Sequence, residues 1–156
     1  LVEYRLTPAT PEDAEFIAAH ARQSDIDELL AIANVTPLEC LLNGIKMSPQ
    51  AYTGWIDGER VCMFGVSAIS VLTGFGVPWM VGTDAIDRHA IAFIKGSRSA
   101  IRTLFTQWGR LYNLVDARNT RAIRWLRYLG FTIDPPVPYG VMDMPFHPFH
   151  LEVNHV

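Results

Sequence analysis

The apolar positions of this chain recur with two periods, and the switches between them mark out its elements. Val2 with Tyr4-Arg5-Leu6 predicts a short first strand. Thr10, Pro11 and Asp13 make a helix start: a capping hydroxyl, a proline in the first helical position and an acid near the positive dipole end. That helix is expected to run to about Arg22, with Ala14, Ile17, Ala18 and Ala21 on one face. Ser24 opens a second helical stretch over 25–34, with Ile26, Leu29, Leu30 and Ala33 at helical spacing. Thr36-Pro37-Leu38-Glu39 is a capping box with proline, and the short helix it starts is expected to end near Asn43-Gly44.

The character changes at Pro49. Residues 50–56 and 60–67 are β-rich runs around Asp57-Gly58, a hairpin signal. Trp79-Met80-Val81 predicts another strand after a turn at Thr73-Gly74-Phe75-Gly76-Val77-Pro78. Over 87–108 the period is helical. Ala90, Ile94, Ser97, Ile101, Leu104 and Trp108 share one face, and Lys95, Arg98 and Arg102 another, with Gly96 the weak point. A strand over 111–117 follows, then a helix over 120–129 stopped by Gly130, a strand over 131–133 and a loop over 134–140. Residues 144–153 form a last strand whose prolines 145 and 148 suit a sheet edge. This order predicts one α/β or α+β domain spanning 1–156, a sheet with helices on its faces.

Composition narrows the class. With 156 residues, 49% apolar and 19% charged, the chain can bury a core and is not disordered. Cys40 and Cys62 form neither a disulfide framework nor a zinc spacing. No charge occurs in the 23 residues from Val61 to Thr83, long enough to span a bilayer. The glycines and Pro78 within that run favour two buried strands and a turn over a membrane span. The first residues lack a basic region followed by an apolar stretch, so no signal peptide and synthesis in the cytosol are expected. Charge is uneven: residues 1–86 sum to −7, 87–127 to +7 and 128–156 to −3. The basic segment suggests a face that meets anions, against the plainer reading of a solvated helix face.

Residues 111–131, LYNLVDARNTRAIRWLRYLGF, resemble the closing motif of the GNAT acetyltransferase superfamily: a strand, Asn119, then a helix ending in Gly130-Phe131. The element order agrees over nearly the whole chain. The resemblance implies a mixed central sheet of about six to seven strands with helices on both faces. A closer resemblance, to the phage internal virion protein A family, is carried by YRLTPAT, GVPWMVGTDAI, the long basic helix and VDARNTRAIRWLRYLGFTI. That resemblance implies an internal core or assembly protein acting by protein–protein contact, made in the host cytoplasm and localised to the virion. Its partners would be other virion proteins or a second copy of this chain, and it would need no cofactor.

Two departures from the superfamily pattern point away from acetyltransferase activity. Active members carry a Gly-rich loop whose backbone N–H groups hold the pyrophosphate of acetyl-CoA. Here Gly96 is the only glycine between Gly82 and Gly109, and a helix beginning at Asp87 places an acid where the anion would bind. Lys95, Ser97 and Arg98 are left as side-chain phosphate ligands, beside Gly96 and the corner residue Asn119. Many members also place a Tyr four residues before the closing Gly, as the acid that protonates the departing thiolate; that position is Leu126. Tyr128 lies roughly 200° further round the helix. The alternative reading is nonetheless an acyl-CoA-dependent N-acetyltransferase using acetyl-CoA, with Asp84 and His89, at the end of the fourth strand, as general-base candidates. A third is a nucleic-acid-binding module built on 87–127, disfavoured by the mild net charge and acidic flanks. No metal site is expected: His147 and His150 are three apart in a strand and point to opposite faces. His20 reads as a packing or exposed residue, His155 as terminal, Cys62 as core and Glu59 as solvent-exposed.

Overall fold

The computed structural model describes residues 1–152; His155 lies outside the described residues. The first strand, β1, spans Tyr4–Pro8. Helix α1 spans Pro11–Ala19 and opens with the expected cap: Thr10 Oγ1 accepts from Asp13 N–H at 3.1 Å, and Asp13 Oδ2 accepts from Thr10 N–H. It stops at His20, short of Arg22, whose amide instead bonds the Gly82 carbonyl. Helix α2 spans Gln23–Ala33 and ends on Asn34, left-handed at φ 52°. Helix α3 spans Pro37–Met47, with the capping box at Thr36 and Glu39. Gly44 does not end it, contrary to expectation. It is buried inside the helix, where an added Cβ would lie 2.7 Å from the Trp79 ring, so the glycine makes room for the indole.

The hairpin forms as the Asp-Gly pair predicts. Strands β2, Ala51–Ile56, and β3, Glu59–Ser70, meet at Asp57 and Gly58, both at positive φ. Strand β4 spans Phe75–Gly82, so the last four of the six residues of the expected turn are strand. A short helix α4, Ala85–Arg88, and a long one α5, Ala90–Phe105, replace one continuous helix and break at His89. Ile94 is more exposed than its position on the expected core face implies; Ser97, Ile101, Leu104 and Phe105 make the contact. Strand β5, Arg110–Asp116, helix α6, Thr120–Leu129, and strand β6, Thr132–Ile133, follow as expected. The loop after β6 contains a three-residue strand β7, Val137–Tyr139, and the chain returns as β8, Met144–Glu152.

The sheet runs β1-β2-β3-β4-β5-β8-β6, with β7 also on β8. Strand β8 is therefore not an edge: it pairs β5 on one side and β6 and β7 on the other. Its prolines are tolerated because the ladder breaks beside them. Pro148 faces the gap between β6 and β7, where its carbonyl accepts from Asp134 N–H, and Pro145 sits just past the last β5 pair, Asp116–Phe146.

Helices cover both faces. Ala14, Ile17 and Leu41 of α1 and α3 pack on Met63 and Val81. On the other face α5 and α6 bring Ile101, Leu104, Ile123 and Leu126 against Phe64, Val66 and Val115. Buried Asp13 fastens α1 to the sheet, accepting from Thr53 Oγ1 at 2.8 Å and Arg60 Nε at 2.9 Å. Among the described residues, no single helix is long and apolar enough to cross a membrane; the uncharged run of 61–83 is β3, a tight turn and β4.

Candidate active site

β4 and β5 run parallel but share only two register pairs, Phe75 with Arg110 and Gly76 with Leu111. Beyond these they separate. Where they part, the Asn113 side-chain amide donates to the Pro78 carbonyl at 2.7 Å, reaching across a gap that main chain no longer bridges. In the antiparallel ladder of β3 and β4 alternate residues turn their main chain away from β3. Pro78 and Gly82 do so, their polar groups meeting Asn113, Asp25 and Arg22. Met80 stands between them with the same parity, so its amide and carbonyl face the opening. A cleft of about 670 Å3 runs through the gap. Asp25, Glu28 and Cys40 line it on the α2–α3 face of the sheet, and Ile86, Ala90 and Trp125 on the α5–α6 face.

α2 ties the two separated strands together. Asp25 Oδ2 accepts the Gly82 N–H of β4 at 2.8 Å, and the Arg22 N–H returns a bond to the Gly82 carbonyl. One turn later, Glu28 Oε1 accepts the Asp116 N–H of β5 at 2.7 Å. The 25/28 spacing puts both carboxylates on one helix face, so each meets one strand end. Burial pushes Glu28 up to about 7; the bond from Asp116 N–H opposes this, and the charges of Asp25 and Asp116 add to it. Burial also raises Asp25, against the nearby Arg22 guanidinium and the Gly82 amide. The Cys40 thiol is pushed up to about 11, by burial first and then by Asp25 and Glu28, so it stays protonated. Asp116 moves the other way: against burial, bonds from the Arg118 guanidinium and amide hold it low.

The other end of the cleft holds Arg121 and the start of α5. α5 starts at Ala90, and His89 before it offers no side-chain cap, which leaves the positive end of a 16-residue helix at the cleft. Asp87 pairs with Arg121 at 2.7 Å, joining the segment after β4 to the first turn of α6. Asn119 caps α6 by accepting from Ala122 N–H at 3.2 Å, and it also lines the cleft.

The residues singled out in the sequence fall in three places. Asp84 is exposed before α4, and His89 turns to Glu59, 3.3 Å away; neither lines the cleft. Glu59 is half-exposed but not free, since Arg88 pairs with it as well. Lys95, Gly96, Ser97 and Arg98 lie past the first turn of α5. Lys95 is exposed, Arg98 stacks over Tyr128, Gly96 abuts the Tyr4 ring, and buried Ser97 accepts from Trp125 Nε1. Leu126 is core and Tyr128 is exposed. His147 and His150 each bond Asp134, one through its carbonyl and one through its carboxylate. Cys62 is core, with its thiol pushed up to about 12 by burial. Sequence reasoning missed Asp25 and Glu28. The available signal was two acids three apart beside the apolar positions Ile26 and Leu29 of α2.

No protein-family model and no curated protein matches the chain. Solved structures do. A spermidine N-acetyltransferase from Vibrio cholerae, in complex with CoA and spermine, superposes with a TM-score of 0.72 at 13% identity, covering 96% of this chain and 95% of that one. Ard1 from Thermoplasma volcanium gives 0.72 at 17% identity, over 97% and 99%. AAC(6')-Ib in complex with ribostamycin and coenzyme A gives 0.67 at 16% identity, over 96% and 93%. The fold is that of the GNAT acetyltransferases, as the closing motif implied. Nothing in these comparisons supports the phage virion family or a structural role in a particle.

Proposed function

We propose that this chain is an acyl-coenzyme A-dependent N-acyltransferase, the second of the readings drawn from the sequence rather than the first. The observation that carries it is the gap between β4 and β5, with a carboxylate shifted to about 7 on one side and an uncapped helix N-terminus on the other. The neighbouring structures add support: two hold coenzyme A, and one is named for acetylating an amine, spermidine.

The residues fit such a donor in part. The first amides of α5, at Ala90, Ile91 and Ala92, suit a phosphate. The open main chain of Met80 suits an amide-containing arm laid along β4. Asn119, Arg121 and Ala122 wall the same end. The Gly-rich loop is missing, but the acid that replaces it, Asp87, is held by Arg121 rather than left to repel an anion. The bound donor would supply a thioester carbonyl activated for acyl transfer.

Glu28 then has a task suited to its shift. A carboxylate titrating near neutrality is half ionised there and can take a proton from an ammonium or an attacking amine. Asp25 beside it is ion-paired with Arg22 at 3.2 Å, so its charge is balanced and Glu28 is left to meet the acceptor amine. As the nitrogen bonds the carbonyl carbon, its proton passes to Glu28, the C–S bond breaks with its electron pair on sulfur, and the thiolate is protonated from water. No tyrosine occupies the Leu126 position to give that proton.

The test is release of free thiol from acetyl-CoA in the presence of spermidine or another primary amine. Glu28→Gln should lower the rate about 100-fold or more while leaving donor affinity unchanged. Absence of thiol release at any pH from 6 to 9 with a panel of primary amines would overturn the assignment.

A further inference from the structure

A second space adjoins the cleft. It measures about 380 Å3 and lies between α5 and the β1–β3 end of the sheet. Leu6, Ile56 and Val61 line it from the sheet and Ala100 from the helix. Phe64, Met80, Phe93 and Ile101 line it too, and these four also wall the cleft. The two spaces are therefore neighbours across four apolar side chains. One of them, Met80, presents its main chain at the open edge of β4.

The lining offers little to a polar guest. The Tyr4 hydroxyl donates to the Ala92 carbonyl at 2.9 Å. Ser97 Oγ donates to the Ile94 carbonyl and accepts from Trp125 Nε1. At the rim, the Arg5 guanidinium stacks 4.5 Å from the Trp55 ring centre. A pocket of this size and polarity is suited to hydrocarbon, and a methionine in the shared wall can yield because its thioether arm is flexible.

We propose that this pocket takes the hydrocarbon tail of the acyl donor, and that the group transferred is a medium-length acyl chain rather than acetyl. The proposal rests on the acyltransferase reading above. An acetyl methyl would leave the pocket empty, whereas a chain of eight to ten carbons passes the shared wall and fills it. The bonds exchanged are those already given, C–N formed and C–S broken, with the proton on Glu28. Only the length of the acyl group differs.

The experiment is calorimetric titration of the full chain with acetyl-CoA and with decanoyl-CoA below its micelle concentration. Each buried methylene tightens binding about fourfold, so a tail only partly seated still favours decanoyl-CoA at least about tenfold. Ala100→Trp fills the pocket from the helix, at a residue that is not itself part of the cleft lining. It should abolish that preference and leave acetyl-CoA affinity unchanged. Leu6→Trp, on the exposed strand β1, fills it from the other wall and serves if Ala100→Trp fails to fold. Equal affinity of the parent for both thioesters would overturn the tail pocket and leave the acyltransferase reading standing. A preference retained in the folded variants would do the same, since the tail would then lie elsewhere. Failure of the parent to bind either thioester would overturn both.

Discussion

Asp25 and Glu28 sit one turn apart on α2 and reach the ends of two strands that no longer pair with each other. Each accepts a main-chain N–H that the separated sheet leaves without a strand partner, so both are structural as they stand. Glu28 becomes chemically useful because burial sets its titration near 7. Glu28→Gln separates the roles, since the amide oxygen still accepts from Asp116 N–H but cannot titrate. The parent rate of acyl transfer should rise with pH through about 7, and the residual rate of the variant should lose that inflection. Stability carries the opposite sign. The folded pKa lies above the unfolded value of 4.5, so the folded chain holds the extra proton. The Glu28 contribution is therefore fully present below about 4.5 and is lost as pH rises through 7. Denaturant midpoints should show this decline in the parent and a flatter dependence in Glu28→Gln. Asp13 is a simpler case. Asp13→Ala strands the buried Thr53 hydroxyl and the Arg60 guanidinium. It should cost about 3 kcal/mol in urea unfolding, the low end for a broken buried pair because Arg60 keeps some access to water. A loss below about 1 kcal/mol would show that α1 is held chiefly by its apolar face.

At the scale of elements, α6 is the piece most completely legible from sequence. Its bounds, its Asn119 cap and its Gly130 stop all follow from local chemistry. Gly130 sits at φ 105° with nothing near an added Cβ, so Gly130→Ala carries backbone strain alone. Its expected loss is about 1 kcal/mol, and Asn119→Ala should lose a similar amount through the cap. An unchanged melting midpoint in either would contradict the capping account. α5 was harder to read. Periodicity cannot locate the break at His89, because α4 is held by contacts remote in sequence, such as the pairing of Arg88 and His89 with Glu59. α3 passes through Gly44 for a similar reason: Trp79, on a strand 35 residues away, packs where a side chain would stand. β8 looked like an edge because prolines usually mark one. Its neighbours β6 and β7 are so short that their contribution emerges only once the sheet is assembled.

For the whole molecule, the α/β class and the two helical layers were readable from element order and the closing motif. The site was not. Its main features, the parting of β4 from β5 and the reach of α2 across them, join residues about 35 to 90 positions apart. No local pattern encodes such a pairing. The missing Gly-rich loop, which argued against an enzyme, describes one way of holding a phosphate. The uncapped start of α5 offers another. The uneven charge also finds a place, with the acidic α2 at one mouth of the cleft and the basic α6 at the other.

The most direct test of the central claim is amide-shift mapping of the full chain by NMR during titration with acetyl-CoA. The account predicts saturable shifts at Met80, at Ala90 to Ala92 and at Asn119 to Ala122, the residues on both sides of the parted strands. Shifts confined to other surfaces, or none at millimolar acetyl-CoA, would contradict it.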